Sequence, residues 1–524
     1  ILGSRLTYSD WLLDFLSDRI DLGASRAAFS DFNGTVEHEL GAKDKLRLSG
    51  YFSKDSFQFD PDTVYSYSNQ NYALSWTHYF NDALEATFSV GQDAYNFEVE
   101  GEDNPLNSYQ YRFDIRQQFV KAQFRQEKGD RHLLSYGVHG IRYQLNPGEI
   151  LPFGPESGVI SDQVAPETAM DWSIYLGDEF EINDQWALSG GLRYNFYTYL
   201  GPQTLPVYAE GEPFLKENIT GETRFQSGEP VQTYHGPEFR FSARYALSNQ
   251  SSLKAGVNSM RQNIHLLSNS SVITPTDTWK LSDSFLKPQQ GIQYALGYFK
   301  NMNQGAFEFS AELYYRSMQN LLDYRSGASI VLNDRIEQEV LVTQGKAYGM
   351  ELYLKKSTGK LNGTLAYTYS RSLMQTDPSE QKEQINRSEW YPSNFDQPHN
   401  ANFVGNLELS KRVNVTLAGK YSTGRPVTLP IAKFNYGGSE RVYFSDRNSF
   451  RVPDYFRMDL SVNLEGNHKI AKLAHASWSF GVYNLLGRDN AYSVYFVPEA
   501  GKLRGYQLAI FAEPIPFITY NFRF

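Results

Sequence analysis

The sequence predicts an all-β chain, a transmembrane antiparallel β-barrel of about 20 strands. Three observations carry that prediction. Tyr, Phe and Trp make up 15% of the 524 residues, a composition that suits strands. Apolar and polar side chains alternate with a two-residue period along nearly the whole length, with little at the helical period of 3.6. Every second connection between the alternating segments is tight and every other one long, the asymmetry of an outer-membrane barrel.

The alternation places strands, in order, at 1–12, 28–40, 45–59, 68–80, 84–100, 108–126, 132–147, 166–182, 185–200 and 236–247. Further strands follow at 251–267, 290–301, 306–324, 341–356, 361–375, 399–409, 412–428, 455–465, 476–496 and 506–524. In 361–370, Leu361, Leu365, Tyr367 and Tyr369 share one face and Asn362, Thr364, Thr368 and Ser370 the other. Val413, Val415 and Leu417 oppose Asn414 and Thr416 in the same way, as Leu460 and Val462 oppose Asp459 and Ser461. Leu365, Tyr367, Val415 and Leu460 are therefore expected to face lipid. Several segments exceed the roughly 9 to 11 residues that cross a bilayer and should project past the membrane on the long-loop side.

A soluble sandwich or propeller would turn the polar face outward, whereas a membrane barrel turns it toward a wet lumen. Connection lengths discriminate. Short turns fall near Ala42, Asp82, Gly129, Asp184, Asn249, Gln304, Gly359 and Lys411, and between them lie longer polar stretches at 60–67, 149–164, 202–234, 269–288, 377–398 and 431–455. A propeller would repeat a blade signature at a fixed period, and the sequence has none. No apolar run approaches the ~18 residues of a membrane helix. Cys is absent, which removes disulfides, thiolate metal sites and a cysteine nucleophile. The net charge of −10 argues against a nucleic-acid partner, which would need a basic face. No basic and apolar leader follows Ile1, so an export signal is expected to have been removed, or the chain to be a fragment.

The last segment, ITYNFRF, alternates Ile518, Tyr520, Phe522 and Phe524 against Thr519, Asn521 and Arg523, and resembles the C-terminal assembly signal of bacterial outer-membrane proteins. The stretches HLLSNSSVITPTDTWKLSDSFLKPQQ (265–290), GKAYGMELYLKKS (345–357), WYPSNFDQPHNANFVGNLELSKRVNVTLAGKYSTGRPVTLP (390–430), VPDYFRMDLSV (452–462) and SFGVYNLLGRDNAYSVYF (479–496) resemble the barrel of a TonB-dependent outer-membrane receptor of the kind abundant in Bacteroidota. The resemblance implies a 22-stranded barrel preceded by a TonB box and a globular plug. ILGSRLTYSDWLL (1–13) resembles the third strand of such barrels, so residues 1–524 are expected to form a single barrel domain lacking the plug, the TonB box and the first hairpin. The ends 1–12 and 506–524 are then expected not to pair directly, since an unclosed edge in lipid leaves backbone groups unsatisfied.

No catalytic or metal chemistry is expected along the chain. Of the nine histidines none pairs at the spacing of a zinc helix, so no metal, cofactor or catalytic residue is assigned. His132 and His139, seven apart, should point to opposite faces. Asp396 and His399 could in principle join a Ser in a triad, but polar anchoring of a loop is the favoured reading. The acidic run 100–103, with Asp60 and Asp62, suits a solvated external loop near lipopolysaccharide better than a calcium site.

The resemblance implies an active transporter of the outer membrane, with long loops extracellular and both chain ends periplasmic. It would import a scarce ligand with energy delivered through TonB by way of the missing N-terminal region. Outer-membrane lipid and lipopolysaccharide are expected partners, and a surface lipoprotein is a further one. The alternatives are a scaffolding barrel of a multiprotein complex, similar to SusC-like systems, and a passive porin. Trp279, Trp390, Tyr391 and Arg425 lie in or beside long loops and are the expected ligand contacts, because aromatic planes and charged forks orient a captured molecule. The same residue types also serve aromatic belts and loop packing.

Overall fold

The computed structural model describes residues 1–8, 26–60, 62–267, 278–377, 383–466, 475–499, 502–509 and 512–523. Among them one antiparallel sheet of 22 strands dominates, and two of its members, Asp162–Gln163 and Tyr391–Pro392, are two-residue stubs. The remaining 20 form the wall: β1 (Leu2–Tyr8), β2 (Arg26–Glu39), β3 (Asp44–Asp60), β4 (Thr63–Asn81), β5 (Leu84–Gly101), β6 (Tyr109–Lys128), β7 (His132–Pro152), β8 (Glu167–Glu181), β9 (Trp186–Leu200) and β10 (Pro230–Ser248). The wall continues with β11 (Ser251–Gln262), β12 (Gln289–Met302), β13 (Phe307–Tyr324), β14 (Val340–Lys356), β15 (Leu361–Thr376), β16 (His399–Ser410), β17 (Val413–Ser422), β18 (Tyr455–Glu465), β19 (His475–Tyr483) and β20 (Ile515–Arg523). Each pairs with the next in sequence, so alternate connections fall at opposite ends.

Register places the expected faces together. Leu365 pairs with Phe403, Tyr367 with Ala401, Val415 with Leu407 and Val462, and Leu460 with Leu417 and Val482. On the other face the Asn406 amide donates to Asn362 Oδ1 at 3.2 Å and the Thr416 hydroxyl to Asn406 Oδ1 at 2.8 Å. Pairing a polar row with itself satisfies groups that hydrocarbon would strand. The polar face is the inner one, because loop residues Trp279 and Leu281 pack on Ile115, Leu145 and Tyr197, which alternate with the exposed Val120, Val138 and Phe196.

Five expectations about elements need correction. The stretch 60–67 is no long loop: Asp60 pairs with Thr63, and Tyr65 and Tyr67 continue the wall by stacking on Phe57 at 4.9 and 5.7 Å. The strand expected at 251–267 leaves the wall after Gln262. Ile264–Leu267 pairs instead with Thr278–Leu281. The strand expected at 412–428 ends at Ser422, and Pro426–Val427 pairs with Phe450–Arg451. The strand expected at 476–496 ends at Tyr483, where Asn484 takes a left-handed φ of 52° and donates its amide to the Arg488 carbonyl at 3.1 Å. Ala491–Glu499 and Lys502–Ala509 then form a hairpin of their own, so the last wall strand is the shorter Ile515–Arg523.

Arg523 pairs with His475 at the short-turn end. Among the described residues no ladder joins β1 to β20, so the sheet ends on these two strands.

Candidate functional site

The long connections described gather over one end of the wall, and the hairpin between β11 and β12 packs against the inner face. Its Leu281 and Trp279 fill the space against the inner faces of β6 to β9, on Ile115, Leu145, Ala169, Tyr197 and Tyr199. Tyr197 and Tyr234 donate their hydroxyls to the Ser282 and Asp283 carbonyls at 2.8 and 2.7 Å. Between them Lys280 pairs with Glu167 and, at 2.7 Å, with Asp283. Burial by itself would push the Lys280 ammonium down, but Asp283 and Glu167 hold it well above its usual value. The hairpin is thereby fixed to the wall by a paired, hydrogen-bonded charge, the form in which a buried charge is tolerated.

His265, fully buried in the same hairpin, meets Ser282 Oγ through Nε2 at 2.9 Å and Gln289 Nε2 through Nδ1 at 3.1 Å. An amide nitrogen has no lone pair to offer, so Nδ1 accepts and the proton sits on Nε2. Burial pushes its pKa down to about 4, with Lys280 adding to the effect against Asp283.

Neighbouring loops are cross-linked around this hairpin. Tyr208, in the loop hairpin Gln203–Tyr208 with Ile219–Phe225, donates to Glu337 Oε1 at 2.7 Å, and Gln338 donates to the Tyr208 hydroxyl at 2.8 Å. Burial raises the Glu337 carboxyl above its usual range, and the Tyr208 bond offsets part of that. Phe214 meets Phe285 edge-on at 5.3 Å. Asp323 at the end of β13 accepts from Arg447 at 2.6 Å and from the Tyr391 hydroxyl at 2.6 Å. Arg325 pairs with Glu383 at 3.3 Å.

The four expected ligand contacts take different places in the fold. Trp279 is a packing residue of the deep hairpin. Tyr391 is buried with Leu341 and Ile385 and bonded to Asp323. Trp390 is exposed, with the Lys346 ammonium 3.8 Å above its ring, a cation–π contact. The Arg425 carbonyl accepts from Val452 N at 3.0 Å beside the Pro426–Val427 bridge. Asp396 and His399 are separated by their roles: the buried Asp396 binds Arg451 and, at 3.1 Å, Arg371, while His399 meets the Tyr367 hydroxyl at 2.9 Å on the outer face. No group of three or more His, Cys, Asp or Glu that could hold a metal forms among the described residues. The connection 325–339, which carries Glu337, Gln338 and Arg335, escaped the reading of the sequence, although the polar stretch RSGAS (325–329) between two strands is a loop signal.

The model of a TonB-dependent receptor-like β-barrel matches residues 6–485. The chain belongs to the TonB-dependent receptor β-barrel family. Proteins of this family are transporters and receptors of the outer membrane rather than enzymes. No curated protein sequence matches the chain. Among solved structures, the ferric citrate transporter FecA in its unliganded form is similar with a TM-score of 0.64 at 11% identity, over 100% of this receptor barrel and 73% of that chain. The copper transporter OprC gives 0.63 at 12% identity over 95% and 72%. The ferric preacinetobactin receptor BauA from Acinetobacter baumannii gives 0.62 at 11% identity over 95% and 72%. At such identity the likeness is one of fold.

Proposed function

We propose that this receptor barrel belongs to an active importer of the outer membrane, which captures a scarce ligand at the loop-covered end and passes it inward with energy delivered through TonB. The observation that supports this most is the cross-linked roof: loops from distant parts of the chain meet over the inner face through Asp323–Arg447 and Tyr208–Glu337, and Lys280–Glu167 fixes the deep hairpin to the wall. A fixed set of polar and aromatic groups above a polar lumen suits selective capture better than free diffusion. The plug and TonB box ahead of the barrel, a hairpin closing β1 to β20, the extracellular position of the long loops and the Bacteroidota type are parts of the same proposal. The fold neighbours that are ferric-catecholate and ferripyoverdine receptors and a copper transporter favour a metal or metal chelate as the cargo to test first.

The test is uptake of radiolabelled ferric catecholate, ferric citrate and copper by cells carrying the full-length gene, with and without a functional TonB. Accumulation that needs both the receptor and TonB is expected for at least one cargo. Equal uptake in the two strains would make the barrel a passive porin. No uptake, with a lipoprotein held through purification, would make it a scaffold.

A further inference from the structure

We propose that the outer face of β4 to β8 carries a binding site for one phosphate-bearing, acylated lipid of the surrounding leaflet. The inference rests on the wall being embedded in a membrane and not on transport.

Register stacks two rows on this face. The lower row is Leu74, Val90, Val120, Gly140 and Trp172, and directly above it run Tyr72, Gln92, Gln118, Arg142 and Met170. These residues line an open groove of about 580 Å³. Gly140 shapes its floor, since an added Cβ would run into the Trp172 ring that lies across it. Leu74, Val90, Val120 and Trp172 are all exposed along it, a surface that hydrocarbon must cover.

The upper row is polar. Gln118 donates to Gln92 Oε1 at 3.1 Å, which leaves a network open at its Arg142 end. Arg142 is exposed, and among the described residues no carboxylate meets it. Arg116 occupies the next row up, since it pairs with Gln144 and Ala94, and its guanidinium reaches Asp114 at 3.2 Å while more than half exposed. An unpaired guanidinium at the edge of an apolar band is costly unless an anion meets it. Phosphate matches the guanidinium fork and can be held by two parallel hydrogen bonds.

Charge complementarity above and an apolar trough below therefore fit one molecule with both parts, its phosphate at Arg142 and Arg116 and an acyl chain along Val90, Val120 and Trp172. A free phosphate would leave the trough uncovered. A neutral lipid would leave Arg142 unpaired.

The experiment uses the full-length receptor in detergent, stripped of lipid and reloaded with bisphosphorylated lipid A or with the same lipid after enzymatic dephosphorylation, bound lipid being counted by native mass spectrometry. One phosphorylated lipid is expected to stay bound at roughly tenfold or higher occupancy than the dephosphorylated form. The Arg116→Ala/Arg142→Ala variant should lose that preference and Arg116→Lys/Arg142→Lys should keep most of it, both with the unheated gel mobility of a folded barrel. Val120→Trp, which fills the trough, should lower retention of both lipids. Equal retention of the two lipids by the wild type, retention by the double alanine variant equal to wild type, or complete displacement by millimolar inorganic phosphate would each overturn the assignment.

Discussion

Arg447 and Asp323 stand 124 residues apart in the chain, and the guanidinium donates to the carboxylate across 2.6 Å. The same arginine donates to the Tyr324 carbonyl at 2.8 Å, and its backbone N–H to Asn386 Oδ1 at 2.7 Å. One residue thus ties the end of β13 to the loops before β16 and β18.

Arg447→Ala and Tyr391→Phe should each cost about 1.5–3 kcal/mol of local stability, since both remove a hydrogen bond to the charged Asp323. Trypsin should then cut the loop that contains Arg441 faster in intact vesicles, with the wall strands still resistant. Unchanged cleavage would mean that the contact holds nothing in place.

His265 gives the deep hairpin a dependence on pH. Its folded pKa, about 4, lies below the ordinary value of 6.5. Above 6.5 it is neutral whether docked or released, so nothing is lost. As pH falls below 6.5 the released form binds the proton first, and docking weakens down to about pH 4, by on the order of 3 kcal/mol. A charged imidazole would also turn a second donor toward the Gln289 amide. Gln289→Glu, which supplies an acceptor and a negative charge, should raise the docked pKa toward 6.5 and so make the loss smaller. Hydrogen exchange of residues 278–286 between pH 7 and 4.5 reads both, and flat exchange in the wild type would contradict the assignment.

Asp396→Ala should be among the more damaging single changes in the loops. It leaves Arg371 and Arg451 facing each other at a buried position, at roughly 3–5 kcal/mol. The loss should appear as a lower temperature for the unfolding step of purified receptor. Asp396→Asn, which keeps the volume, should lose less.

The two faces of β17 predict opposite responses. Leu417 pairs with Gly405 and Leu460 in the middle of the outer face, and Leu417→Arg should cost roughly 2–4 kcal/mol and reduce insertion. Thr416→Arg, one residue away on the inner face, should insert normally. Equal insertion yields would mean that the outer face is not in lipid.

The 524 residues contain no Cys, so single cysteines report orientation directly. Gly438→Cys at a loop-hairpin tip should react with an impermeant maleimide on intact cells, and Asp82→Cys in the turn between β4 and β5 should react after the outer membrane is opened. The reverse order would invert the proposed topology.

Alternation settles which face a residue takes before any fold is known, because side chains point to opposite sides every residue and a slip by one would put Asn362, Thr364 and Thr368 into lipid. The sequence therefore determined the wall: about 20 strands, their order, their outward residues and the end that carries the long loops. It did not determine where β11, β17 and β19 leave the wall. Those strands keep alternating past Gln262, Ser422 and Tyr483, and what ends them is contact made elsewhere, such as Asn263 donating to Asp171 at 2.8 Å across 92 residues. The loop roof was legible as polar length and illegible as structure. A carboxylate such as Asp396 reads the same in sequence whether it serves a triad or binds two arginines, and Tyr391 the same whether it meets a ligand or Asp323. Their partners lie 25 to 68 residues away. Pairing at such distances depends on how loops fold over the wall, so tertiary structure alone decided it.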